Sequence, residues 1–351
     1  MAGFRVAIIG YGSAGRGIHA RLAREAGFEV TVILTQNRNR RQQAAVDWPG
    51  AKLVGSLDEL IALRDRFDVA VVASPTGLHA ENAAELARAG IPFVVDKPLG
   101  VDAFEVRAII AEAASTKTPF TVFQNRRWDA EQLALVAALK RGTLGDVHTY
   151  EKRWERWQPV ARSGWREADL TGGGLLLDLG SHLVDAATQL FGPPVRVTAR
   201  LRSLVTNTDD DVFVMLEYSP GGGIAKSPFA VESRLFAGSL VAAPGPRTKV
   251  LGTDAAFVVT SYERDVSVFE IPAEEFEPNA AWITRGTDVE PVAMPAVGHV
   301  DFYAALPAWL AGDGAPPVDP RDALTTAIIM DAARASSQQG RSVAISKDGF
   351  K

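Results

Sequence analysis

The stretch FRVAIIGYGSAGRGIHARLAREAG, residues 4–27, decides how the rest of the chain is read. Residues 4–9 form a short apolar run suited to a buried strand, glycines at 10, 12 and 15 follow at once, and GIHARLAREAG has helical patterning. Between a strand and a helix, the spacing GxGxxG has a physical use: a tight turn at Gly10, close approach of a pyrophosphate at Gly12, and close helix packing at Gly15. The helix start adds free N–H groups and the positive end of its dipole. Gly10, Gly12, Ser13, Ala14 and Gly15 are therefore expected to hold the phosphates of a dinucleotide. The motif alone is weak, because glycine-rich turns also serve only to turn, so its surroundings matter.

Working outward, EVTVILT (29–35), DVAVVAS (68–74), IPFVVD (91–96) and FTVFQ (120–124) read as further strands, with helical segments between them. Strands alternating with helices predict a doubly wound parallel sheet, an α/β Rossmann domain over residues 1–124. The end of the second strand, Thr35-Gln36-Asn37-Arg38-Asn39-Arg40-Arg41, has no acid before Asp47 to take a ribose 2′-hydroxyl. Arg38, helped by Thr35, Gln36 and Asn37, suits the 2′-phosphate of NADP, with NAD as the alternative and a solvated first helical turn as the bland reading of these arginines.

Ligands of open parallel sheets sit beyond the carboxyl ends of the strands. Three clusters fall there: Ser74-Pro75-Thr76 with His79, Asp96-Lys97-Pro98, and Gln124-Asn125-Arg126-Arg127-Trp128. An isolated lysine at a strand end usually just meets solvent. Here Lys97 would project towards a nicotinamide, where its ammonium could hold a substrate oxygen. Pro98 restricts Lys97 to extended geometry and allows a cis bond. His79 is a candidate cofactor contact, whereas His19, His148 and His299 are expected to be structural or superficial.

In GGGLLLDLGSHLVD, residues 172–185, Asp178 and His182 interrupt a greasy, glycine-rich run. If the chain turns helical at Gly180, their spacing stacks them on one face, where they could do chemistry, bind a metal or cap a helix. The glycines around them read as room for close approach to ligands.

Composition narrows the partners. The 351 residues suffice for two domains, 47% are hydrophobic, and the net charge of −5 leaves no basic footprint for nucleic acid or an anionic membrane. With no cysteine, thiolate metal sites and disulfides are excluded. No run approaches ~18 apolar residues, so a cytoplasmic protein with a small-molecule partner is expected.

Residues 125–351 are expected to form a second domain. Its strand-like segments are DVHTYEKRWERW, VRVTARL, DVFVMLEYS, FAVESRLFAG, TKVLGT and AAFVVTS, and RDALTTAIIMDAARASSQQ (321–339) reads as a last helix packing back beside the first domain.

GYGSAG, SPTGLHAENAAELARAGIPFVVDKP and GGGLLLDLGSHLVDAA, in this order, resemble the Gfo/Idh/MocA family of glucose-fructose oxidoreductases and inositol dehydrogenases. VFQNRRWD and VDFYAALPAWLAGDGAPPV look most like its NADP-dependent scyllo-inositol dehydrogenase branch. The resemblance implies an α+β C-terminal domain on a large, open, mainly antiparallel sheet, one face of which makes a homodimer or homotetramer. It also implies an active site of Lys97, Asp178 and His182, with no metal: hydride leaves a secondary alcohol of a sugar or polyol while His182 takes the hydroxyl proton. Asp96, where the family has glutamate, is a cofactor contact. Asn125, Arg127, Trp165 and Arg166 are further candidates for the substrate pocket, Asn125 also for the cofactor. The rival readings are a sensor that binds NADP without turnover, a sugar–sugar oxidoreductase holding its cofactor tightly, and a metal enzyme using Asp178 and His182. Residues 261–290 do not follow the inositol branch closely.

Overall fold

The computed structural model describes residues 3–160, 164–260 and 281–346, with Trp165 and Arg166 described in the backbone alone. The chain divides into two compact units, residues 1–125 with 297–324, and residues 126–296 with 325–351.

In the first unit, β1 (Arg5–Ile9), β2 (Glu29–Leu34), β3 (Lys52–Val54), β4 (Val69–Val72), β5 (Phe93–Asp96) and β6 (Phe120–Phe123) form a sheet in the order β3-β2-β1-β4-β5-β6. Every pairing is parallel. The order reverses between β1 and β4, the switch point beyond which ligands bind. Val69–Val72 are wholly buried, as expected of a parallel strand covered on both faces. A π-type turn, Gly15–Ala20, runs into α1 (Arg21–Glu25), and α2 (Arg38–Asp47), α3 (Leu57–Ile61), α4 (His79–Arg88) and α5 (Ala103–Thr116) follow. Side-chain oxygens of Asn37, Ser56 and Asp102 accept backbone N–H groups at the starts of α2, α3 and α5. Strand β3, only three residues long, was not anticipated from the sequence, where KLV offers no periodicity.

The second unit carries α6 (Ala130–Lys140), α7 (Trp165–Ala168), α8 (Ser181–Phe191) and a large sheet. Its strands are β7 (Val147–Glu155), β8 (Arg196–Arg202), β9 (Asp211–Glu217), β10 (Glu232–Gly238), β11 (Thr248–Gly252), β12 (Ala256–Val259), β13 (Ala281–Arg285), β14 (Asp288–Pro291) and β15 (Val343–Ala344). Among the described residues their order is β14-β13-β12-β11-β7-β10-β9-β8-β15, and β7 with β10 is the one parallel pair. The alternation expected of a sheet with one buried face is clear in β9, where Val212, Val214 and Leu216 enter the core between half-buried neighbours. Leu135, Leu183, Val184 and Leu190 from the helices complete that core.

After β14 the chain returns to the first unit with α9 (Val300–Ala304) and α10 (Leu306–Leu310), and then enters α11 (Pro320–Gln339). Phe302 packs edge-on against Phe123 at 4.9 Å between ring centroids, Tyr303 against Phe28 at 6.2 Å, and the Thr121 hydroxyl donates to Val318 O at 2.7 Å. From Thr325 onward α11 belongs to the second unit, where Ile329, Met330 and Ala333 join the core, and Ser336 Oγ accepts from Ala199 N. The segment that returns to the first unit is 297–324, because its aromatic residues find their partners there.

Candidate functional site

The glycine loop is built as its spacing requires. Gly10 has φ +91°, and a Cβ there would stand 2.7 Å from Ala73 O. A Cβ on Gly15 would collide with Gly10 O, so two of the three glycines have no room for any side chain. Gly12 is different: its Cβ would face the Arg40 guanidinium, 3.6 Å from Cζ.

Beside this loop the first unit opens a cleft of about 640 Å³, whose walls include Thr35, Gln36, Asn37, Arg40, Ser74 and Pro75. Five of these were expected from the sequence. Arg38 does not line it, and Arg40 does. Asn37 caps α2 by accepting from Arg40 N at 3.1 Å, so Arg38 is the first helical residue and Arg40 the one turned over Gly12. Arg41 is committed elsewhere, donating to the carbonyls of Thr35, Val54 and Leu53. Asp58 and Glu81 place acids in the same cleft.

At the ends of β4 and β5 the structure separates neighbours that the sequence grouped. Thr76 is 5% exposed and His79 1%, and the two His79 ring nitrogens lie 2.9 Å from Ser74 O and 2.8 Å from Pro98 O. His79 is thus a buried bridge between carbonyls, with both ring nitrogens engaged. Burial pulls its pKa below the usual histidine value, against the opposing influence of the Asp96 charge. Lys97, half-buried, is joined to Pro98 by a cis bond, and its own N–H donates to Asp96 Oδ1 at 2.8 Å. Burial would raise the Asp96 pKa, but the nearby charges of His19, Lys97 and His79 outweigh it and hold the carboxyl below its usual range. His19, expected to be structural or superficial, is fully buried, its Nδ1 2.6 Å from the Tyr303 hydroxyl. Asn125 Nδ2 donates to His299 Nδ1 at 3.2 Å, so His299 is an unforeseen neighbour of the QN motif.

In the second unit, Asp178 lies in a π-type turn, Leu176–Gly180, that leads into α8, and His182 is the second residue of α8. His182 is 7% exposed, and its ring lies 5.9 Å from the Trp154 ring at an interplanar angle of 23°. Trp154 is in turn covered by the guanidinium groups of Arg126 at 4.5 Å and Arg247 at 4.8 Å. The helix-capping role left open for Asp178 belongs to another residue: Asp209 Oδ2 accepts from Leu176 N at 2.6 Å, and Asp178 N donates to Gly174 O. Gly174 has φ +90°, and the Asp209 carboxylate occupies the place of its missing Cβ, so this glycine serves the cap rather than a ligand. Burial pushes the Asp209 carboxyl up to about 6. Arg127 makes a paired contact with Asp185 on α8, through Nε at 2.9 Å and Nη2 at 2.6 Å. Trp165 and Arg166, expected in the substrate pocket, have side chains outside the described residues. Trp154, Asp185, Asp209 and Arg247 were missed, because each acts through a partner far away in the sequence.

Lys97 belongs to the first unit, and Asp178 and His182 to the second. Among the described residues no group of three or more His, Cys, Asp or Glu could hold a metal, and no helix is long and apolar enough to cross a membrane.

Comparison with known proteins gives a consistent picture. The family model described as "Oxidoreductase family, NAD-binding Rossmann fold" matches residues 4–124, and "Oxidoreductase family, C-terminal alpha/beta domain" matches residues 136–345. The scyllo-inositol 2-dehydrogenase (NADP(+)) IolW of Bacillus subtilis is 28% identical over 97% of this chain and 95% of its own length. The uncharacterized oxidoreductase YdgJ of Escherichia coli is 32% identical over 91% and 92%. Among solved structures, the putative oxidoreductase yvaA of Bacillus subtilis superposes with a TM-score of 0.83 at 27% identity, covering 98% of both chains.

Proposed function

The chain belongs to the Gfo/Idh/MocA oxidoreductase family, and from that premise we propose that it moves a hydride between NADP and a secondary alcohol of a sugar or cyclic polyol. The observation that carries this reading is the loop in which Gly10 and Gly15 exclude side chains and Gly12 faces Arg40 beside an open cleft. A dinucleotide fits it: the tight turn admits a pyrophosphate, and the Arg40 guanidinium suits a 2′-phosphate. Asp58 in the same cleft is the group a 2′-hydroxyl would use, which keeps NAD as the second reading.

When bound, the oxidised nicotinamide supplies a hydride acceptor. The remaining work falls to side chains. The Lys97 ammonium holds the substrate oxygen and favours its anionic character, His182 takes the hydroxyl proton as general base, and Asp178 accepts a hydrogen bond from a neighbouring hydroxyl and so orients the ring. These assignments rest on the family resemblance of the motifs DKP and DLGSH.

Purified protein mixed with NADP or NAD and a panel of inositols and aldoses should develop the absorbance of reduced nicotinamide, more readily with NADP. Lys97→Ala should abolish the signal while NADP still binds. Binding of NADP with no turnover on any polyol or sugar would overturn the enzyme reading in favour of a sensor.

A further inference from the structure

The hydride-transfer scheme leaves His79 without a task, although it is among the most buried polar residues of the first unit. Its ring joins two strand ends: Nε2 lies 2.9 Å from Ser74 O, after β4, and Nδ1 2.8 Å from Pro98 O, after β5. On the other side of Lys97, the lysine N–H donates to Asp96 Oδ1 at 2.8 Å. The main chain carrying Lys97 is therefore gripped twice, at its own amide by Asp96 and at the next residue's carbonyl by His79.

A carbonyl oxygen cannot donate, so the contacts to Pro98 O and Ser74 O each call for a ring N–H, and a neutral ring supplies only one; the shorter contact, to Pro98 O, assigns that proton to Nδ1. The Asp96 charge favours a protonated ring without choosing between its nitrogens. Asp96 faces it from the end of β5, and Asp96 itself is faced by Lys97 and by His19, whose Nε2 lies 3.5 Å from Asp96 Oδ2 while Nδ1 meets the Tyr303 hydroxyl of α9. Burial acts in the opposite sense, against a second proton on the ring.

We propose that His79 is a positioning residue: through Nδ1–H donated to Pro98 O, it fixes the loop that presents the Lys97 ammonium to the reacting oxygen. The inference rests on the reading of Lys97 given above. It goes beyond that reading by placing control of the lysine in a residue whose ring nitrogens hold main-chain carbonyls.

The two ring nitrogens can be replaced one at a time. An asparagine amide reaches the position of Nδ1 and keeps a donor for Pro98 O, whereas a glutamine amide reaches that of Nε2 and keeps one for Ser74 O. With NADP affinity within about 3-fold of wild type in both, His79→Asn should keep kcat within about 3-fold, and His79→Gln should lower it by roughly 10- to 100-fold, the cost of a misplaced catalytic group. A purely structural histidine predicts equal losses in both variants, and that result would overturn the proposal. Nitrogen-15 NMR of the wild-type ring at pH 7.5 should find Nδ1 protonated; a bare Nδ1 would overturn it independently of how the variants fold. Lys97→Ala is measured in parallel. Turnover surviving there would overturn the role of Lys97 and the inference with it, whereas loss there with equal kcat in the two His79 variants would overturn the inference alone.

Discussion

Arg127 and Asp185 are locked together by two contacts, at 2.9 and 2.6 Å, with side chains only 14% and 4% exposed, and Asp185 sits three residues after His182 on α8. A buried pair of this kind costs little while whole and much when halved, because one charge is then left without its partner. Arg127→Ala should destabilise the protein by about 3–5 kcal/mol in urea unfolding, and a double change of Arg127→Met with Asp185→Leu should recover much of that loss. If the single variant unfolds within about 1 kcal/mol of wild type, the pair does not anchor α8.

Asp209 provides a pH signature. Its folded carboxyl is pushed up to about 6 by burial, above the unfolded value of about 3.9. The folded state therefore binds its proton more tightly, and the stability this confers at low pH is lost as pH rises from about 4 through about 6. The full effect is on the order of 2–3 kcal/mol. Asp209→Asn keeps an oxygen for Leu176 N–H and removes the titration, so its Tm relative to wild type should rise between pH 5 and pH 7.5. A difference in Tm that is flat with pH would contradict this assignment.

The three loop glycines should not respond alike. Alanine at Gly10 or Gly15 must push against backbone atoms, at Ala73 and Gly10 respectively, and both variants should lose stability and NADP affinity together. Gly12→Ala meets only the end of a flexible arginine, so it should fold within about 1 kcal/mol of wild type while binding NADP more weakly. Calorimetry paired with an NADP titration separates the two behaviours.

Arg40 and Arg38 make a second contrast. Arg40→Ala should raise the Kd for NADP by roughly 10- to 100-fold, the value of hydrogen bonds to a charged group, with a much smaller change for NAD. Arg38→Ala should disturb neither by more than about 3-fold. Equal effects of Arg40→Ala on the two dinucleotides would remove the 2′-phosphate role.

The nucleotide-binding half was legible because its signals are local: five apolar strands, three spaced glycines and the switch from strand to helix lie within short windows. Arg38 was favoured over Arg40 because a sequence shows which arginines follow β2 but not where the helix begins, and the Asn37 cap sets the phase that turns Arg40 over Gly12. The bridging contact of His79 was not legible, because Pro98, whose carbonyl it meets, belongs to the next strand end. The capping of the Asp178 turn by Asp209 was equally hidden, since the two are joined only when β8 and β9 form a hairpin.

The contacts of His19 and Phe123 with Tyr303, and of Thr121 with Val318, have a consequence for how the chain is made. The nucleotide-binding unit is split in sequence, and its aromatic interior is sealed by residues synthesised after strands β7 to β14 of the large sheet. A nascent chain that has just completed β6 exposes Phe28, Phe123 and the His19 ring, with closure deferred for more than half of synthesis. Long loops of this kind fold late and leave sticky surface uncovered in the meantime. A fragment cut after residue 125 would carry all three glycines and yet lack its own lid of aromatics, so it should aggregate rather than bind dinucleotide. Supplying residues 297–324 on a short linker is the rational way to make that half stand alone.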